Sequence, residues 1–251
     1  MSHMNRKLDS LVILIIFLLC TNDLLSQPAT DTSGSPAQPL KNTIDLYYRS
    51  IGDNNHLYNG SEYVSPVYRQ DLSPYFKTVG MTNGYLMYDG TRYEDVPLLY
   101  DLMQQRVVTY RRDQHFRITL APEKVAYFSI LGHLFVRIEA DSGHGSGIDA
   151  GYYDWLYDGR VRAYALRTKK LVENIVDNQP VTKMIEEEHY FIWKEGNYYS
   201  IYNKQSLLSA FKDKKKEIRK YLRKNGFRFR RDPENTMIQA ADYYDRQMKA
   251  P

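Results

Sequence analysis

The chain has 251 residues, with 34 Lys and Arg, 30 Asp and Glu, a formal charge of +4 and one cysteine. Apolar residues at 43% and charged residues at 25% exclude a disulfide scaffold, a collagen-like repeat and a wholly disordered chain, and fit a soluble globular protein of one large or two small domains. Aromatic residues reach 14%, and 23 tyrosines supply most of them.

Arg6 and Lys7 precede an apolar run from Leu11 to Cys20, followed by polar residues and Ser26-Gln27. A basic start, a short apolar stretch and a small residue before a cut read as a secretory signal peptide over 1–26. The run is half the roughly 20 residues that a membrane-spanning helix needs. Cys20 follows Leu19 rather than the small residue of a lipobox, so cleavage near Ser26-Gln27 is the reading here. The mature chain then has no cysteine, which excludes disulfides, thiol nucleophiles, Cys-ligated zinc and iron–sulfur clusters. The expected location is outside the cytoplasm, in the periplasm or associated with the outer membrane. Residues 27–55 read as a flexible linker, since 27–42 are rich in Pro, Ser, Thr, Gly and Ala and bury too little apolar surface to order themselves.

Residues 56–202 carry the marks of antiparallel strands. Asn59-Gly60, Asp89-Gly90 and Asp158-Gly159 have the composition of tight hairpin turns, and Trp193 to Tyr198 reads as another hairpin. Val107–Tyr110 and Phe116–Leu120 flank a further turn. Val161, Ala163 and Ala165 alternate with Arg160, Arg162 and Tyr164, which predicts one buried and one outward face. The expected fold class is α+β: an antiparallel β meander, curved into a sandwich or half-barrel, followed by a C-terminal two-helix segment over 203–251. Charges interrupt most strands, which argues against an outer-membrane barrel.

In the C-terminal segment the period changes. Asn203 is a candidate N-cap, and Leu207, Leu208, Phe211, Ile218, Tyr221 and Leu222 share one helical face. Asn225-Gly226 ends that helix. Asp232-Pro233-Glu234 starts a second one with a cap, an N1 proline and an acid near the dipole. Its apolar stripe is Met237, Ala241, Tyr244 and Met248.

From Lys212 to Arg231 there are 11 basic and 2 acidic residues, a net +9, while the rest of the mature chain carries −5. Lys212, Lys216, Arg219, Lys220 and Arg223 fall on the polar side of the first helix, and like charges four apart repel by about 0.2–0.5 kcal/mol per pair. One reading is a site for an anionic partner, either an envelope component or an acidic protein. The other is a solvated face, or a face docked on this chain's own acids, Glu186-Glu187-Glu188 or Glu94-Asp95. Nucleic acid suits the charge, but an exported protein rarely meets it.

Catalytic signatures are sparse. Phosphate loops, HExxH and GxSxG are absent from the sequence. The loop Asp141–Asp149 holds His144, two serines and two acids, so a glycan- or peptide-directed hydrolase is an alternative function, although three glycines make a long hairpin connection the simpler reading. His133 in a strand reads as a satisfied core or surface histidine. Glu94/Asp95 and Asp154/Asp158 are acidic pairs that would need a common cleft to act together. No metal or other cofactor is expected. The tyrosines offer a third function, a glycan-binding module with exposed rings; the simpler reading is that tyrosine forms strands well.

Three stretches, Leu57–Tyr63 (LYNGSEY), Tyr88–Leu102 (YDGTRYEDVPLLYDL) and Ser206–Glu234, resemble exported proteins of unassigned function from Bacteroidota-type bacteria. The resemblance spans the chain from about residue 56 and implies a Gram-negative cell envelope, without implying an activity or a site residue. The preferred expectation is an exported, non-enzymatic binding or structural module that touches an anionic partner through its basic helix.

Overall fold

A computed structural model describes residues 56–67, 69, 71–111, 116–139 and 148–249. The leader, the linker and most of the 141–149 loop lie outside these residues. Among the described residues, eleven antiparallel strands form one sheet in the order β1-β5-β4-β3-β2-β6-β7-β8-β9-β10-β11. They are β1 (Ser61–Glu62), β2 (Thr82–Tyr88), β3 (Thr91–Asp101), β4 (Arg106–Tyr110), β5 (Arg117–Thr119), β6 (Val125–Ile130), β7 (His133–Ile138), β8 (Gly151–Asp158), β9 (Arg162–Val176), β10 (Gln179–Lys194) and β11 (Asn197–Ile201). Three helices follow: α1 (Lys204–Ala210), α2 (Lys215–Lys224) and α3 (Pro233–Lys249). The α+β meander is therefore the architecture, with three helices in place of the expected two.

The turns show why the meander forms. Asp89 and Gly90 take left-handed φ of 51° and 76°, and Glu195 and Gly196 take 51° and 82°, matching the twist of the strands they join. Asp177 and Asn178, at 51° and 59°, close the β9–β10 hairpin by the same geometry. Asn59-Gly60 makes no hairpin: a 3-10 turn at His56–Tyr58 leads into β1, which pairs with β5 far along the chain. Asp158-Gly159 does join β8 to β9, but Gly159 is absent from the left-handed residues. A Cβ there would collide with the Asp245 carboxylate of α3, which accepts the Arg160 N–H at 2.7 Å and the Tyr157 hydroxyl at 3.2 Å.

The sheet curls. Although β3 and β9 stand five places apart in the strand order, the Lys169 N–H of β9 reaches the Leu102 carbonyl at 3.2 Å. The Gln105 side-chain amide bridges the Leu102 and Arg167 carbonyls at 3.0 and 2.9 Å. The enclosed core holds Leu86, Leu98, Tyr100, Phe128, Phe135 and Tyr152, and Phe76 from the β1–β2 connection plugs its mouth. A second core lies between the helices and the face of β9 to β11 that carries Val161, Ala163, Ala165, Ile192 and Ile201. On the opposite face Tyr153, Tyr164 and Phe191 form a third cluster, so the predicted alternation along β9 holds while both faces are covered.

This accounts for the tyrosines. Tyr152 and Tyr153 point to opposite faces and are both buried, at 2% and 0% exposure. Among the described tyrosines only Tyr202, at 77%, counts as exposed. Trp155, Trp193 and Tyr198 are half-buried, and the Arg162 guanidinium lies over both indoles, 5.7 and 4.8 Å from their centroids. Among the described residues there is no row of exposed rings such as a glycan platform needs. Burial pushes the hydroxyls of Tyr152, Tyr153 and Tyr164 up to about 12 from the usual 10.0. The fold thus favours the neutral phenol, so this contribution to stability is complete below pH 10 and disappears as pH rises through about 12. Alkaline titration should show phenolate absorbance from these residues rising together with loss of near-UV circular dichroism. Ionisation of Tyr152, Tyr153 and Tyr164 themselves near pH 10 in a still-folded protein would refute that.

The β9–β10 hairpin projects from the sheet. Pairing of β9 with β8 covers Arg162 to Leu166, pairing of β10 with β11 covers Tyr190 to Lys194, and beyond Lys169 the two strands pair in the sheet only with each other. Leu171, Ile175, Val176 and Ile185 on this arm are exposed at 40, 79, 46 and 38%.

The caps of the helical segment follow local chemistry. Asn203 and Ser206 form a reciprocal capping box on α1. Asp232 Oδ1 accepts the Asn235 N–H at 3.0 Å at the start of α3. Gly226, at φ 74°, ends α2 in a Schellman turn, with Phe227 N–H donating to the Leu222 carbonyl at 3.0 Å. Met248, expected on the apolar stripe of α3, is 40% exposed.

Candidate functional site

The basic segment is not one continuous helix. At Phe211 (φ −107°, ψ 52°) the chain leaves α1, makes a 3-10 turn over Lys212–Lys214 and re-enters helix at Lys215. Tertiary contacts hold the break. Phe211 is fully buried against Tyr244, with centroids 5.1 Å apart. Asp213 accepts from Lys194 of β10 at 2.5 Å and from the Tyr244 hydroxyl of α3 at 2.9 Å. Burial alone would raise the Asp213 carboxyl, but Lys194 and Tyr244 outweigh it and hold the group below its usual value. One of the two acids in the segment is therefore spent on the body of the protein.

Lys212, Lys216, Arg219, Lys220 and Arg223 are all exposed. Lys216, Arg219, Lys220 and Arg223 share one face of α2, opposite the buried Ile218 and Leu222, whereas the break moves Lys212 onto the preceding turn. Among the described residues, none of the 11 basic side chains of the 212–231 segment forms an ion pair. The chain's own acids are engaged elsewhere: Glu186, Glu187 and Glu188 pair with Lys169, Lys170 and Arg167, and Glu94 pairs with Arg92. The segment is thus not docked on those acids. Lys214, Lys215 and Lys216 also stand at the start of α2, where the helix dipole disfavours cations by about 0.3–1 kcal/mol each.

A second constellation lies at the mouth of the curled core. Arg167, 2% exposed, donates to Asp154 Oδ2 through Nε at 3.0 Å and through Nη2 at 2.7 Å. It also pairs with Glu234 at 2.6 Å and with Glu188, which accepts the Tyr190 hydroxyl at 2.5 Å. Burial works against the Arg167 cation, but Asp154 and Glu234 more than offset it and hold the guanidinium above its usual value. Asp154 Oδ2 also meets His133 Nδ1 at 2.7 Å, and His133 Nε2 meets Lys77 Nζ at 2.8 Å. Phe76 packs edge-on against His133 at 5.0 Å and beneath Arg167 at 5.7 Å.

These contacts name the partners of His133, which the sequence reads as a satisfied histidine. Asp154 and Asp158 do not share a cleft: Asp154 is buried, while Asp158 sits at the hairpin end beside Arg162 at 3.5 Å. His144 lies outside the described residues. Asp149 is described, and its carbonyl accepts the Tyr153 hydroxyl at 2.7 Å. Among the described residues, no group of three His, Cys, Asp or Glu side chains could hold a metal ion, and no helix is long and apolar enough to cross a membrane. No protein-family model, curated protein or solved structure matches the chain.

Proposed function

We propose that the protein is an exported binding module of the cell envelope that engages an anionic partner through the cations of 212–231. The observation that carries this reading is the exposed basic face, which among the described residues makes no ion pair, while Glu186, Glu187, Glu188 and Glu234 pair with cations of the sheet. A segment arranged for stability alone would not set Lys214, Lys215 and Lys216 ahead of Glu217, the one acid in the first turn of α2. The signal-like leader and the resemblance to exported envelope proteins support the location.

The test is Lys216→Glu combined with Lys220→Glu. Each cation near an anionic surface contributes about 1 kcal/mol, so losing two weakens binding to vesicles rich in phosphatidylglycerol, or to the envelope fraction, by at least ~30-fold. The wild-type interaction should also decline steeply with salt. The variant should fold normally, because Lys216→Glu places an acid in the first turn of α2 where the dipole favours it. Unchanged fractionation of a folded double variant would sink the proposal.

A further inference from the structure

Lys77, His133 and Asp154 have the arrangement of a nucleophile, a base and an orienting acid. Lys77 Nζ lies 2.8 Å from His133 Nε2, and His133 Nδ1 lies 2.7 Å from Asp154 Oδ2. A carboxylate held by two hydrogen bonds from Arg167 accepts rather than donates, so His133 gives its Nδ1–H to Asp154 and turns the Nε2 lone pair toward the amine. Phe76 fixes the plane of the imidazole from one side. The backbone of Lys77 is left-handed, at φ 51°, a conformation it shares with the turn residues Asp89, Asp177 and Glu195. Lys77 is exposed and His133 half-buried, so a small molecule reaches the amine. Lys124, Lys170 and Lys194 each face a carboxylate, and among the described residues no other lysine contacts an imidazole.

We propose that Lys77 is a nucleophilic amine, activated by His133, that accepts an acyl group from an ester. In the step, the Lys77 ammonium first releases one proton to solvent, and the amine nitrogen then attacks the acyl carbonyl carbon and forms the N–C bond. The proton on nitrogen passes to His133 Nε2. The tetrahedral adduct collapses with cleavage of the C–O bond, and the leaving oxygen takes the proton from His133. The products are an N-acylated Lys77 and an alcohol, with nothing oxidised or reduced. Asp154 and Arg167 act through His133 as positioning residues, by fixing its tautomer and ring orientation.

The purified full chain is treated with p-nitrophenyl acetate, with nitrophenolate release and the sites of acetylation followed together. General-base assistance is worth about a hundredfold at the low end, so Lys77 should be acetylated ~100 times faster than Lys170 or Lys216. Lys77→Arg should remove the rapid phase. His133→Gln should bring Lys77 down to the rate of the other lysines. Asp154→Asn should slow Lys77 while leaving Lys170 and Lys216 unchanged, a selectivity that general loosening of the fold would not give. If Asp154→Asn does not fold, His133→Gln, at a half-buried side chain, decides alone. Acetylation of Lys77 no faster than elsewhere, an undiminished rate in His133→Gln, or acetyl retained on His133 would each overturn the assignment.

Discussion

Arg167→Ala is expected to cost about 3–5 kcal/mol of folding stability, the range for removing one partner of a buried ion pair. The side chains of Arg167 and Asp154 are 3% and 2% exposed, so the variant strands a carboxylate that solvent cannot reach and leaves it His133 as its remaining partner. Glu188 and Glu234 lose the same cation but are 38% and 30% exposed and can hydrate. Against a total stability of about 5–15 kcal/mol, the loss brings the fold near its margin. Urea unfolding with circular dichroism reads it directly. Combining Arg167→Met with Asp154→Leu should recover most of the loss, because a buried pair replaced by apolar groups of similar volume is often neutral. A cost below about 1 kcal/mol for Arg167→Ala would mean that the network is not what joins α3 to the mouth of the core.

Phe76→Ala is expected to cost a similar ~3–5 kcal/mol, from lost transfer energy and the cavity left behind. Phe76 is 0% exposed and touches Phe135 edge-on at 5.1 Å as well as His133 and Arg167. With Tyr75, which packs on Tyr63, Leu99 and Val108, it anchors a connection that also makes hydrogen bonds: Phe76 N–H to the Tyr100 carbonyl at 2.9 Å, Leu102 N–H to Pro74 at 2.9 Å, and Lys169 Nζ to the Ser73 and Tyr75 carbonyls at 3.2 and 2.7 Å. Without the ring these bonds open more readily, and hydrogen exchange at Phe76 and Leu102 should accelerate by more than the global loss accounts for. Phe76→Leu, a milder change of about 1.5 kcal/mol or less, keeps the comparison measurable if the alanine variant unfolds. Exchange unaltered at those two amides in either variant would show that the anchor lies elsewhere.

Where the physics is local, the sequence was a good guide. Asp89-Gly90, the 193–198 hairpin, the alternation at 161–165, the Asn203 cap, Asp232-Pro233 and the Asn225-Gly226 stop all act within a few residues, and each is present in the fold. Asp177-Asn178 went unread because it lacks the glycine that marks such turns, although both residues adopt the same left-handed backbone. The break at Phe211 was invisible for a different reason. The apolar spacing runs on through it, and only Lys194 and Tyr244, 19 and 31 residues from Asp213, pull the chain out of helix. The exposed basic face was legible as composition; that it stays free of the chain's own acids was not, because those acids find Arg167, Lys169 and Lys170 across a strand pair.

Taken alone, the sequence determined the α+β class, the order of strands before helices, the caps at Asn203, Gly226 and Asp232 and the concentration of positive charge in 212–231, since each rests on near-neighbour chemistry or simple counting. Tertiary structure alone decided that Tyr152, Tyr153 and Tyr164 are core residues, with rings buried on both faces of the sheet, and which partners His133 has. Lys77 and His133 are 56 positions apart and Arg167 and Glu234 are 67 apart. Such pairs meet only because the sheet curls until β9 returns to the end of β3, and that curl is a sum of strand twists over many residues that no local window contains.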